Sequence, residues 1–271
     1  MAYFTIVVVS YRAGEKLKKT LENALAQSCG DLRIIVKDAA SDDGSVEAAR
    51  AACPDERITW IVEADRGIYD GMNRAIRELD GESLVLFLNC GDLFYDTQVL
   101  AHVREEAERI RQETGARPEI LYGDIAERRT GERFMANPRL DAFACYRNIP
   151  NHQAIFYEAS LLMREQFDTA YRVRADYEHF LRCFFRLGIR PRAMDLIICD
   201  YEGGGFSESP EGARISAAEH RAVTALYYTP AQRARYRAYL ILTLQPLRAY
   251  LAGSRLTAGL YRRVREGILK K

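Results

Sequence analysis

Four short apolar runs at nearly even intervals constrain this chain more than any other feature. They are Thr5 to Ser10, Leu32 to Lys37, Ile58 to Val62 and Leu84 to Leu88. Each is a few residues long and rich in β-branched or bulky aliphatic groups, the pattern of a strand buried on both faces. Helical periods fill the gaps. Leu17 to Gln27 carries apolar residues at 17, 21, 24 and 25, Val46 to Ala52 is rich in helix formers, and Ile68 to Leu79 completes the set. Strand and helix in strict alternation over about ninety residues imply an α/β fold with a doubly wound, mostly parallel sheet and right-handed crossovers.

After Asp92 the rhythm loosens. Val99 to Gln112 reads as a charged, solvated helix. Ile120 to Ala126 and Arg133 to Ala136 read as an antiparallel pair joined through Thr130 and Gly131. Ala154 to Tyr157 is a further strand, Asp176 to Leu187 an amphipathic helix, and Leu196 to Asp200 a strand that runs into Gly203-Gly204-Gly205. From Glu211 onward the chain reads as helix. The simplest partition is one α/β domain over 1–210 and a helical extension over 211–271.

In a parallel sheet the carboxyl ends of the strands share one edge, where open α/β sheets bind ligands. Here those ends carry Ser10-Tyr11, Asp38, Glu63 to Arg66, and Asn89-Cys90-Gly91-Asp92. Tyr11 offers a ring to stack on a base, Asp38 an acceptor for a base N–H, and Arg66 a planar fork for phosphate. No GxGxxG follows the first strand and no GxxxxGK[ST] occurs, so dinucleotide and P-loop readings lose their main support. Other residues stay open between two roles. Asp176 is a base or a helix cap, His152 a ligand-side group or a structural histidine, and Asp70 and Asn73 cleft residues or local caps. Gly203 to Gly205 is a loop that closes over a ligand or a plain turn.

Several stretches resemble the family 2 glycosyltransferases. They are Val7 to Tyr11, Val36 to Ser45, Asp65-Arg66-Gly67-Ile68-Tyr69-Asp70-Gly71-Met72-Asn73, Phe87 to Asp92, His152 to Phe156, Ala175 to Tyr177, and Gly204 to Ser207. The pattern is similar to the bacterial surface-polysaccharide, colanic-acid-type subgroup and covers roughly residues 4 to 207. The resemblance implies a GT-A fold, a nucleotide-sugar donor and a divalent cation, Mn or Mg. It assigns Ser10, Tyr11 and Asp38 to the nucleoside and Arg66 to the base and phosphates. Asp70, Asn73, Asn89 and Gly91 fall on the donor side, and Asp92 matches the metal carboxylate. His152, Gln153, Gly204, Gly205 and Ser207 fall on the acceptor or diphosphate side, and Asp176 matches the general base, with Glu178 an alternative. Where many relatives carry two or three acids in the metal motif, this chain has Asn89, Gly91 and only Asp92.

Charge is unevenly spread. From Ala231 to Lys271 ten Lys/Arg stand against one acid, Glu266, so the tail is +9 and the body −8 in a chain of net charge +1. Aromatic and leucine side chains interleave with those cations, a pattern suited to an anionic membrane surface, with a helical cap or a dimer contact as alternatives. No nucleic-acid module is present. Six scattered cysteines without metal spacing fit a reducing compartment. No signal peptide or spanning segment is visible. The expectation is a cytoplasmic, metal-dependent, inverting transferase at the inner face of the membrane, moving sugar to a surface glycan acceptor, most simply a lipid-linked one. A catalytically inactive GT-A-like scaffold is the rival from another class, and a nucleotidyltransferase a second.

Overall fold

A computed structural model describes residues 2–243. Its contacts separate a first unit ending at Val223 from a second beginning at Thr224. The first unit holds a nine-stranded sheet. Its opening half follows the alternation read from the sequence: β1 Phe4–Ser10, α1 Glu15–Leu25, β2 Leu32–Asp38, α2 Ser45–Ala52, β3 Ile58–Val62, α3 Ile68–Ile76 and β4 Leu84–Phe87. All pairings among these four strands are parallel, in the order β3-β2-β1-β4. The order reverses at β1, so a crevice opens between the carboxyl ends of β1 and β4, the topological switch point.

The second half is mixed. It runs through β5 Leu93–Phe94, α4 Val99–Thr114, β6 Ile120–Glu127, β7 Glu132–Phe134, α5 Ala142–Arg147, β8 Ile155–Glu158, α6 Ala159–Arg164, α7 Ala175–Phe185, β9 Arg192–Tyr201 and α8 Pro210–Tyr227. β8 lies antiparallel to both β4 and β6, and β9 lies parallel to β6 but antiparallel to β5. The β6–β7 pair is antiparallel, as the sequence reading expects. Antiparallel pairing matters for the site, because it returns the start of β8 to the carboxyl end of β4.

The core follows from the same apolar periods. Leu17, Leu21 and Ala24 form the α1 stripe and pack with Phe4, Ile6 and Val8 of β1, all buried. Each fully buried Leu contributes about 1.5–3 kcal/mol relative to exposure. On the other sheet face α3 buries Met72, Ala75 and Ile76. In the second unit, α9 Pro230–Leu242 starts at a Thr229 capping box with Gln232. The residues expected to interleave with the tail cations beyond position 243, among them Leu247, Tyr250 and Tyr261, lie outside the described residues.

Candidate active site

A cavity of about 1220 Å³ occupies the crevice. Its walls include Ser10, Tyr11, Asn89, Asp92, His152, Gln153, Asp176, Gly205 and Ser207 from the sequence reading. Strand pairing explains the convergence. The β4–β8 register sets Leu86 against Phe156, so His152 and Gln153, just before β8, arrive beside Asn89. Likewise β5 sets Leu93 against Asp200, which brings Glu202 against Asp92.

Asp92 is 4% exposed. Its Oδ1 accepts the Glu202 backbone N–H at 2.9 Å, and its Oδ2 accepts Gln153 Nε2 at 3.3 Å. Burial raises its pKa from the ordinary aspartate value, and the Glu202 carboxylate adds to the rise, against those two hydrogen bonds and nearby His152. Gly91, at φ +102°, sits in a conformation that side chains resist, and a Cβ there would come within 2.2 Å of Glu202 Oε2. That carboxylate is held over Gly91 by Lys16 Nζ at 2.7 Å. The backbone of the motif is fixed by Thr20, whose hydroxyl accepts from Gly91 N–H and donates to the Asp92 carbonyl.

Asp176 lies in the first turn of α7 without being its cap, which is Arg174. The cap alternative is thereby answered. Its Oδ1 accepts Tyr69 O–H at 3.0 Å and Tyr177 N–H at 2.8 Å. Its Oδ2 faces His152 Nδ1 at 3.7 Å. The other imidazole nitrogen, Nε2, meets the Asn89 amide at 2.9 Å. Asn89 Oδ1 is buried with no hydrogen-bond partner among the described residues. One line of polar groups thus runs Asn89, His152, Asp176, Tyr69 along the cavity, from the end of the central strand past the start of α7 to the first turn of α3. Burial and the Asp176 charge push the Tyr69 phenol up, so it stays a proton donor.

Five expected donor residues, Asp38, Asp70, Asn73, Arg66 and Gly91, do not line the cavity. Asp38 is fully buried and both its oxygens accept from Ser41, through the backbone N–H and the hydroxyl, so its carboxylate shapes the β2 loop. Asp70 accepts the Arg66 backbone N–H and pairs with Arg74, the local-cap role. Asn73 is stapled to Phe167 in both directions, donating to its carbonyl and accepting its N–H, and so fixes the approach to α7. Arg66 is exposed between the wall residues Asp65 and Gly67. Gly204 also lies outside the wall; its N–H donates to Glu208. The alternative base Glu178 is buried and pairs with Arg182, away from the cavity.

Sequence reasoning placed Asp65 only as part of the Glu63–Arg66 strand end, and it missed Glu202, Lys16 and Tyr69 as wall residues. Tyr69 and Asp65 sit inside the Asp65–Asn73 stretch and are found there by asking which of its side chains are polar. Lys16 and Glu202 carry no local signal, since they meet across the sheet at a separation of 186 residues.

The order β3-β2-β1-β4 with a mixed second half, and a carboxylate-lined crevice that includes Asp92 and Asp176, form a GT-A-type architecture. The chain belongs to glycosyl transferase family 2, whose family model matches residues 5–171. A PGL/p-HBAD biosynthesis glycosyltransferase of Mycobacterium bovis (strain BCG / Pasteur 1173P2) is 31% identical over 210 residues, 76% of this chain and 79% of that protein. The fold matches the mannosyltransferase PcManGT from Pyrobaculum calidifontis, solved with GDP-Man and Mn2+, at a TM-score of 0.61 and 21% identity, over 98% of this chain and 80% of that one. It also matches S. aureus TarS solved with UDP-GlcNAc, at a TM-score of 0.63 and 15% identity, over 94% and 74%. The colanic-acid-type subgroup finds no support among these relatives.

Proposed function

We propose that this protein is an inverting glycosyltransferase that moves a sugar from a nucleotide diphosphate sugar to a hydroxyl of a glycan acceptor. The observation that carries the reading is the Asp176 carboxylate. One oxygen is anchored by two donors, and the other faces His152 in the cavity that Asp92 also lines. Asp176 takes the acceptor's proton on Oδ2 as the hydroxyl oxygen bonds the anomeric carbon. The bond from that carbon to the diphosphate oxygen breaks, and its electron pair leaves on the diphosphate. A single displacement inverts the anomeric centre.

Ser10 and the exposed Tyr11 ring hold the nucleoside, with Asp38 acting through its loop. Arg66, exposed at the rim, reaches the phosphates. Two buried or half-buried carboxylates, Asp92 and Glu202, together with the unpartnered Asn89 Oδ1, make an oxygen-rich site that fits Mn or Mg. No group of three His, Cys, Asp or Glu is clustered among the described residues. The diphosphate itself must therefore complete any coordination shell. A divalent ion held by Asp92, Glu202 and Asn89 Oδ1 would supply positive charge to offset that of the diphosphate. The inactive-scaffold alternative draws no support from the relatives, and Asp92 and Asp176 both line the cavity.

The acceptor side is the wall formed by His152, Gln153, Gly205 and Ser207. No helix among the described residues is long and apolar enough to cross a membrane. The basic extension over 211–271 serves as the anchor that brings the enzyme to a lipid-linked acceptor at an anionic surface. The deciding experiment is thermal stability against UDP-, GDP-, dTDP- and CMP-sugars, with and without Mn²⁺. A native-state ligand at a hundred times its dissociation constant adds about 2.7 kcal/mol. One nucleotide class should raise Tm, more so with Mn²⁺, and Asp92→Ala should abolish the metal's part. Silence across the panel would sink the transferase reading.

A further inference from the structure

Beside the catalytic cavity lies a second one of about 380 Å³ that the proposed transfer leaves unused. The two share Phe134, Asn148, Ile149, Pro150 and Asn151 as wall residues, so they adjoin. The second is open and apolar on one side: Met135 is 75% exposed and Phe134 45%. That exposure is built in. The segment is tied down at Ala136, whose N–H donates to Asp124 Oδ1 at 2.7 Å, and at Asn137, whose carbonyl accepts Tyr122 O–H at 2.7 Å.

The same wall carries Arg147, exposed at the end of α5. The catalytic cavity's cations are all engaged: Arg12 with Asp42, Lys16 with Glu202, Arg172 with Glu211, and Arg174 with Ser216 and Asn148. Arg147 makes no ion pair or side-chain hydrogen bond among the described residues. A guanidinium left free beside exposed apolar side chains is suited to a ligand with both characters. The side cavity is also joined to the base. Asn148, in the shared wall, accepts Arg174 Nη1 at 3.1 Å, two residues before Asp176.

We infer that this side cavity binds the non-sugar part of the acceptor, an amphiphile with an apolar chain and an anionic group. The chain lies on Phe134, Met135 and Ile149, the anion meets Arg147, and the hydroxyl to be glycosylated reaches Asp176. The acceptor role rests on the transferase reading above; the amphiphile site itself does not.

The test uses the full chain with ¹³C-methyl methionine, the Met135 signal being assigned through Met135→Leu. Dodecyl phosphate, held below its micellar concentration, is titrated against inorganic phosphate and the uncharged decyl maltoside. Dodecyl phosphate should move the Met135 signal, inorganic phosphate alone should not, and Arg147→Ala should weaken dodecyl phosphate about tenfold, the worth of one charge-assisted contact. An unmoved Met135 signal, equal affinity for the uncharged probe, or no effect of Arg147→Ala overturns the inference. So does a Met135 signal that shifts with protein concentration alone, which assigns the face to a second copy. Nucleotide-sugar binding is measured in parallel. If it fails while Met135 still responds, the acceptor role falls and the amphiphile site stands; if nucleotide sugar binds and Met135 is silent, the site falls alone.

Discussion

Lys37 gives the sharpest test of how the sheet edge is organised. Its ammonium is completely buried, yet each of its three protons has an acceptor: the Asp38 carbonyl at 2.9 Å, the Glu63 carbonyl at 2.7 Å and Asp65 Oδ2 at 2.8 Å. Asp65 in turn accepts Gly67 N–H with its other oxygen and sits 3.1 Å from where a Cβ on Gly71 would lie. One ammonium therefore fastens the ends of β2 and β3 to the turn that opens α3. Lys37→Met keeps the volume and removes the charge, leaving a buried carboxylate and two carbonyls without their donor. Removing one partner of a buried pair costs about 3–5 kcal/mol. With an m-value of about 3 kcal/mol/M, the urea midpoint should fall by about 1–2 M at unchanged m. The double variant Lys37→Met/Asp65→Leu should recover part of that loss, since the uncompensated charge is gone and only the carbonyls stay unpaired. A Lys37→Met midpoint within about 0.2 M of the parent would refute the account, because a buried ion pair cannot be both the fastener and dispensable.

Further expectations concern the site itself. Asp92 is a carboxylate whose burial raises its pKa, so the folded state resists its ionisation. The folded protein therefore holds this proton to higher pH than the unfolded chain, and the penalty is present above the unfolded pKa of about 3.9 and absent well below it. Asp92→Asn should raise Tm at pH 7.5, the gain shrinking toward pH 4 in a scanning-calorimetry series. An equal gain at both pH values would place its cause outside ionisation. Gly91→Ala forces a side chain into a left-handed backbone against the Glu202 carboxylate. It should cost about 1–3 kcal/mol in urea titration and weaken nucleotide-sugar binding, whereas Gly204→Ala, with open space around it, should be milder. Asp176→Asn keeps the shape and removes the base, so turnover should fall at least about a hundredfold with donor affinity intact. Unchanged turnover would remove Asp176 from the chemistry. Tyr69→Phe removes one anchor of Asp176 and should lower turnover by about tenfold, the worth of one hydrogen bond to a charged group.

What the sequence determined by itself is whatever rests on local period and on one strand end. The four apolar runs fix β1 to β4, and their alternation with helices fixes parallel pairing, because each crossover returns the chain to the same edge. That alone places Ser10, Tyr11, Asn89 and Asp92 along one crevice. The Asp65–Asn73 stretch was legible as a site, but its members were sorted by the tertiary structure: Asp65 and Tyr69 face the cavity, while Asp70 and Asn73 fasten loops. Asp38 carried the right strand-end position and yet is spent on Ser41, since a buried carboxylate must accept whatever donors lie within reach. The antiparallel return of β8 and the β5–β9 pairing were decided only in three dimensions. They bring His152 to Asn89 and Glu202 to Asp92 across separations that no period in the chain records. Local spacing sets which face a side chain takes within its own element; which other element it meets there depends on sheet register, and register is a property of the whole packed core.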